Sequence, residues 1–221
     1  MPRRWVKEEL KKDHLASWVE RSVTWVNQNR ENALIGGIVI LAVAVFIPFS
    51  LSRRAKMNEQ VSSLLAMGQQ AYFQNQMDKA ISFYDQALAH PGTNFIPFAL
   101  FYKGNILYEM GKYSEAASVY RAYLEKYETR KFTPEVLISL ANSLEQEGKF
   151  EEAKEVYQKF LDRFPQHYLL PGVYQGLGQC YEKIGQKDEA IKTYQLMSRI
   201  YSGQVWQDIA EAKIKALSPT P

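Results

Sequence analysis

The sequence predicts an all-α protein: an N-terminal amphipathic helix and one transmembrane helix, then an α-solenoid of four helical hairpins closed by a C-terminal capping helix. Three observations predict it. Alanine–tyrosine pairs four residues apart recur at Ala80/Tyr84, Ala116/Tyr120, Ala153/Tyr157 and Ala190/Tyr194, with steps of 36, 37 and 37 residues between the alanines. A fixed period of that length marks stacked repeats. Twelve residues before each alanine stands a small residue, Gly68, Gly104, Ala141 or Gly178. Residues 33–51, ALIGGIVILAVAVFIPFSL, hold no charge. With 46% hydrophobic and 13% aromatic residues, the 221-residue chain can bury a core.

Residues 1–32 form a tail. Leu15, Trp18, Val19, Ser22, Trp25 and Val26 recur at three- and four-residue steps, with Lys11, Lys12, Glu20 and Arg21 mostly on the other face, the pattern of an amphipathic helix. Three of the four tryptophans, Trp5, Trp18 and Trp25, lie in this tail, and indoles favour the headgroup layer of a membrane. The competing reading is a solvated helix. Residues 33–52 read as the transmembrane helix, because about 19 apolar residues rising 1.5 Å each approach the thickness of a bilayer's hydrocarbon core. Pro48 lies near the far end, where a lost backbone hydrogen bond costs least. Ser50 and Ser52 make a small-x-small pair of the kind that signal peptidase accepts, but 32 residues precede the apolar run. That lead and the length of the run favour an uncleaved anchor over cleavage after Ser52. Lys11, Lys12, Arg21 and Arg30 before the span outnumber Arg53, Arg54 and Lys56 after it, which puts the N-terminus in the cytosol by the positive-inside rule.

Residues 53–217 carry the repeats, and residues 218–221 are expected to be disordered. Two antiparallel helices approach closely only where their side chains are small, so a small residue facing an alanine across the pair, with aromatic and leucine positions between, describes a helical hairpin. The turns NQMDKA, GKYSEA, GKFEEA and GQKDEA join the helices, and glycine opens three of them. At these residues the chain resembles the tetratricopeptide repeat family, with the small residue at the eighth place, Gly111, Gly148 and Gly185 at the fifteenth, alanine at the twentieth, tyrosine at the twenty-fourth and Pro165 at the thirty-second. The family's tryptophan place holds Leu64, Leu100, Leu137 and Tyr174. Residues 204–217 supply the cap that end repeats need.

The resemblance implies a ligand lying against the first helices, at the second, fifth, ninth, twelfth and thirteenth places. The ninth is a carboxamide in every unit, Gln69, Asn105, Asn142 and Gln179. Each amide offers a donor and an acceptor, to the backbone of an extended polypeptide or else to neighbouring helices and water. The fifth place runs Leu65, Phe101, Ile138, Gln175 and the twelfth Tyr72, Tyr108, Glu145, Glu182. With Phe73 and Phe98, the face grades from apolar to acidic, and its apolar half suits hydrophobic segments of another protein; core filling by the same rings is the competing account. Only Lys183 falls on these places as a base, so a basic clamp for a C-terminal carboxylate is not expected.

The net charge of +3, from 27 basic and 24 acidic residues, leaves no basic face of nucleic-acid size. Cys180 is the single cysteine, and His14, His90 and His167 lack metal-ligand spacing. Ser-His-Asp, HExxH, phosphate-loop and CxxC patterns are absent, so no enzyme, cofactor or metal is expected. An anchor followed by such repeats resembles the YfgM-like ancillary subunits of the bacterial Sec translocon. That resemblance implies a single-pass inner-membrane protein with periplasmic repeats, partnered by the translocon or by exported polypeptides and by membrane lipid through residues 15–52. The alternative is an anchored assembly factor or scaffold for an envelope complex, in cytochrome maturation or outer-membrane biogenesis, with one dedicated partner.

Overall fold

The structure, a computed structural model, describes the backbone of residues 4–127 and 131–218 and the side chains of these residues from 16 onward. The side chains of Trp5, Lys11, Lys12, His14 and Leu15, and residues 219–221, lie outside the described residues. Ten α-helices and no strand are present among the described residues. They divide into two compact units, residues 1–56 and 57–221.

The first unit contains α1 (Arg4–Gln28) and the larger part of α2 (Arg30–Phe73). Only Asn29 separates them. Its N–H donates to the Trp25 carbonyl at 2.9 Å and its carbonyl accepts from Ala33 N–H at 2.9 Å, so the hydrogen-bond ladder continues across the break. Helix α2 holds Pro48 within its run and is long and apolar enough to cross a membrane. From Leu34 to Leu51 its large apolar side chains are 48% to 71% exposed.

The second unit is a stack of hairpins. The end of α2 pairs with α3 (Met77–Leu88), α4 (Ile96–Glu109) with α5 (Tyr113–Tyr127), α6 (Thr133–Gln146) with α7 (Phe150–Arg163), and α8 (Leu170–Lys183) with α9 (Lys187–Ile200). Helices α4, α6 and α8 each open on a proline, Pro97, Pro134 and Pro171, at the first place of its unit. The first turn of a helix tolerates proline because its N–H has no intrahelical partner in any case. The corresponding residue of the first unit is Val61, fully buried. Valine keeps the backbone N–H that a proline would take from the ladder of α2, which runs on through this place.

All four hairpin turns close alike. The N–H of Gln76, Lys112, Lys149 and Gln186 donates five residues back, to Ala71, Leu107, Leu144 and Tyr181, at 2.8 to 2.9 Å. The preceding residue is left-handed: φ is 74° at Gly111, 75° at Gly148, 79° at Gly185 and 58° at Asn75. Asparagine is the side chain that best tolerates this conformation after glycine, which is how the first turn keeps the motif without one.

Ala80, Ala116, Ala153 and Ala190 are all fully buried. The small eighth-place residues, however, do not have alanine as their nearest neighbour. A Cβ placed on Gly68 would sit 2.7 Å from the Tyr84 ring, on Gly104 2.5 Å from Tyr120, and on Gly178 2.5 Å from Tyr194. The small place therefore makes room for a tyrosine ring, which reaches across from the second helix farther than a methyl group can. At the far end α10 (Val205–Leu217) lays Trp206, Ile209, Ile214 and Leu217 against the core of Tyr194 and Met197 on α9.

Candidate partner-binding face

The twenty-fourth-place tyrosines join the hairpins and shape the first-helix face. Each is no more than 2% exposed. Each also reaches toward the next unit: Tyr84 stacks on Tyr102 at 6.0 Å, Tyr120 approaches Ser139, Tyr157 crowds Gly176, and Tyr194 lies under Lys213 of α10 at 6.0 Å. The hydroxyls of Tyr120, Tyr157 and Tyr194 bond side chains at the functional places. Tyr120 donates to Asn105 Oδ1 at 2.7 Å. Tyr157 donates to Asn142 Oδ1 at 2.7 Å and to Glu145 Oε2 at 3.1 Å, and Tyr194 donates to Glu182 Oε1 at 2.5 Å. Asn105 and Asn142 are thus oriented by an internal hydrogen bond, which leaves the amide N–H groups as the side to offer outward. Burial pushes the tyrosine hydroxyls up, Tyr84 to about 12, so they remain protonated donors.

Two cavities open on this face. One of about 250 Å³ lies between α2 and α4 and is lined by Gln69, Tyr72, Phe73 and Asn105 together with Tyr84, Tyr102, Ile106 and Glu109. Tyr72 Oη donates to Glu109 Oε1 at 2.9 Å and Phe73 is 82% exposed. The second, of about 430 Å³, is lined by Glu145, Gln146, Phe150, Gln179, Glu182, Lys183 and Lys213. There Lys213 pairs with Glu182 at 2.9 Å, while Glu145 accepts from Cys180 Sγ at 3.3 Å.

The other residues singled out on this face lie deeper. Leu65 is buried and Ile138 packs against the core. Phe101 stacks on Phe132 at 4.7 Å, Phe98 meets the same ring edge-on at 5.1 Å, and Tyr108 meets Tyr113 at 5.2 Å. Glu109, at the thirteenth place, escaped the sequence reading and brings a carboxylate to the end expected to be apolar. Cys180 is fully buried. Among the described residues, no group of three or more His, Cys, Asp or Glu side chains is placed to hold a metal ion. A further cavity, lined by residues such as Ala33, Leu34, Gly37 and Leu41 of α2, belongs to the apolar segment and has few polar groups.

Burial pushes the Glu145 carboxyl above the usual carboxylate range, against the opposing pull of the Cys180 and Tyr157 hydrogen bonds. A raised value in the fold means that Glu145 contributes stability while protonated and loses that contribution as pH rises through the raised value. Glu145→Gln is therefore expected to exceed the wild type in stability at pH 7.5, with the gap closing below about pH 4, where the unfolded carboxyl is also protonated. Thermal melts at both pH values check it; a gap that does not change with pH would refute it.

The chain matches tetratricopeptide repeat at residues 65–130 and again at 132–202, together more than half its length. No curated protein matches it in sequence. Among solved structures it superposes on a tetratricopeptide repeat protein from Parabacteroides merdae ATCC 43184 with a TM-score of 0.64 at 17% identity, covering 72% of this chain and 60% of that one. YrrB, described as a tetratricopeptide repeat protein with an unusual peptide-binding site, gives a TM-score of 0.57 at 17% identity, with 70% and 74% covered. The MamA protein gives 0.56 at 18% identity, with 72% and 90% covered. At these identities the likeness is one of fold. With four hairpins closed by the same turn, and the family's spacing through both matched stretches, this chain is a member of the tetratricopeptide repeat family.

Proposed function

We propose that this protein is a single-pass inner-membrane protein whose repeats bind extended or unfolded segments of partner proteins, at the translocon on the export side. Tetratricopeptide repeats serve protein–protein interaction, and the observation that carries the reading here is the first-helix face itself. It combines carboxamides that reach the surface, Gln69 exposed and the other three half-buried, with an aromatic side chain, Phe73, left 82% exposed. Beside carboxamides that can pair with a backbone, such a ring is a contact that a partner segment can cover. The anchor is supported by the apolar run of α2, none of whose hydrophobic window is buried; water would not tolerate it, and lipid would. A relative of the same fold is described as having a peptide-binding site, which agrees with a polypeptide partner.

The test uses the full chain in native membranes, with a photo-crosslinker at the Phe73 position. Adducts with translocon subunits and with several exported polypeptides are the expected result. A single recurrent adduct would replace this reading with that of a dedicated assembly factor, and cytosolic adducts alone would overturn the topology. Phe73→Ser is expected to lower capture severalfold without moving the melting temperature, because an exposed ring contributes little to the fold. Protease added to spheroplasts should digest residues 53–221.

A further inference from the structure

Tyr84 differs from its three counterparts. Tyr120, Tyr157 and Tyr194 each donate the hydroxyl to a side chain of their own unit. Tyr84 is 1% exposed, lines the 250 Å³ cavity between α2 and α4, and its hydroxyl has no protein partner. The ring is buried, but the hydroxyl oxygen is not among the buried atoms left without a partner; it belongs to a side chain that lines the cavity, where a ligand can reach it. The same cavity is lined by Glu109, held by the Tyr72 hydroxyl and paired with no lysine or arginine among the described residues. The cavity thus offers a carboxylate with no cation paired to it among the described residues, a phenol oxygen open to a ligand and three further rings, Tyr72, Phe73 and Tyr102.

The other end of the stack shows a lysine taken up beside a twenty-fourth-place tyrosine, on a carboxylate that also accepts the tyrosine hydroxyl. There Lys213 of α10 lies over the Tyr194 ring at 6.0 Å and pairs with Glu182 at 2.9 Å. The Lys213 ammonium lies between the two, over the tyrosine ring and on the carboxylate. This joins a charge-assisted contact to a cation–π contact. Tyr84 and Glu109 bring a phenol and a carboxylate to one cavity without a bond between them, Glu109 being held by Tyr72 instead.

We infer that the cavity between α2 and α4 seats a lysine or arginine side chain of the partner segment, its charge taken by Glu109 and one of its N–H groups by the Tyr84 hydroxyl. The inference rests on the reading that this face binds extended segments. It adds what that face selects: a basic side chain set among apolar ones. The volume, below the roughly 300 Å³ at which small-molecule sites begin, suits one long side chain rather than a whole ligand. The carboxamides of Gln69 and Asn105 on the same walls remain for the segment's backbone.

The experiment measures fluorescence anisotropy of the full chain in detergent with two labelled peptides. They are identical apart from a central arginine in one and citrulline, its neutral isostere, in the other, each flanked by leucine and phenylalanine. The arginine peptide is expected to bind about tenfold more tightly. Glu109→Gln, which keeps an acceptor for Tyr72, should erase that difference and leave the citrulline peptide unchanged. Tyr84→Phe should weaken the arginine peptide about threefold while circular dichroism stays that of the wild type. Equal binding of both peptides by the wild type, or discrimination that survives Glu109→Gln, overturns this inference and leaves the binding face standing. Failure of the wild type to bind either peptide overturns both.

Discussion

Tyr157→Ala, on the second helix, is expected to cost the repeat unit more than truncation of any residue of the first-helix face, about 3–5 kcal/mol from the lost ring alone. The ring is 2% exposed and wedged against Gly176 of the following hairpin, so its removal opens a void between units three and four that no exposed side chain can fill. A second effect adds to the first. The hydroxyl satisfies both Asn142 Oδ1 and Glu145 Oε2, and Glu145 would then keep only the weak Cys180 donor. Because stacked repeats are held mainly by nearest-neighbour contacts, the loss should be felt locally. Hydrogen exchange ought to rise in α8, α9 and α10 well before α4 and α5. Tyr157→Phe separates the two contributions, retaining the ring and losing only the donor at about 1–3 kcal/mol. Urea denaturation of the full chain in detergent, followed by circular dichroism, reads the difference. An alanine variant within about 1 kcal/mol of the wild type would mean that the twenty-fourth-place ring does not join the units.

How much of this was readable beforehand depended on whether backbone or side-chain reach decided the matter. The hairpin turns were legible, since a left-handed residue demands glycine or asparagine, and Gly111, Gly148, Gly185 and Asn75 all fall at the fifteenth place. The buried alanines and the capping helix followed from periodicity for the same reason. That α2 runs unbroken from the apolar segment into the first hairpin was not read from the sequence, where Pro48 stands inside the same helix and no residue marks the continuity. The partner of the small residue was not legible. Spacing says that residues eight and twenty share an interface, but a tyrosine four residues further on reaches across it, and only its rotamer decides what it covers. The hydroxyl partners hide behind the same rotamer. So does the difference between Tyr84 and its counterparts, which depends on Tyr102 occupying the site where the following units carry Ser139 and Gly176. The binding face was therefore located by register, while its chemistry, Glu109 above all, required the positions of atoms.

Gly104→Ala exposes the same logic in reverse, and it is expected to destabilise although alanine is the better helix former by about 1 kcal/mol. The new Cβ would stand 2.5 Å from Tyr120 Cε1 and 2.8 Å from Cζ. That ring is 1% exposed, tied to Asn105 by its hydroxyl and met from the next hairpin by Ser139, so it has nowhere to retreat. Overpacking of this kind costs about 1–3 kcal/mol, and Gly104→Val should cost more because a β-branched side chain has few rotamers available in a helix. Yet the third unit carries an alanine at this place, Ala141, fully buried. Its tyrosine, Tyr157, is displaced onto the next unit, where Gly176 offers no side chain. The two places therefore compensate: where the eighth place gains a methyl group, the sixth place of the following hairpin gives one up. Ser139→Gly alone should destabilise by about 0.5–1 kcal/mol, as glycine within a helix does. Combined with Gly104→Ala it should recover at least about 1 kcal/mol relative to the sum of the single changes, the coupling expected of residues sharing one ring. Denaturation of the four proteins in this cycle measures that coupling directly. Strict additivity would show that the tyrosine does not pivot between its own hairpin and the next.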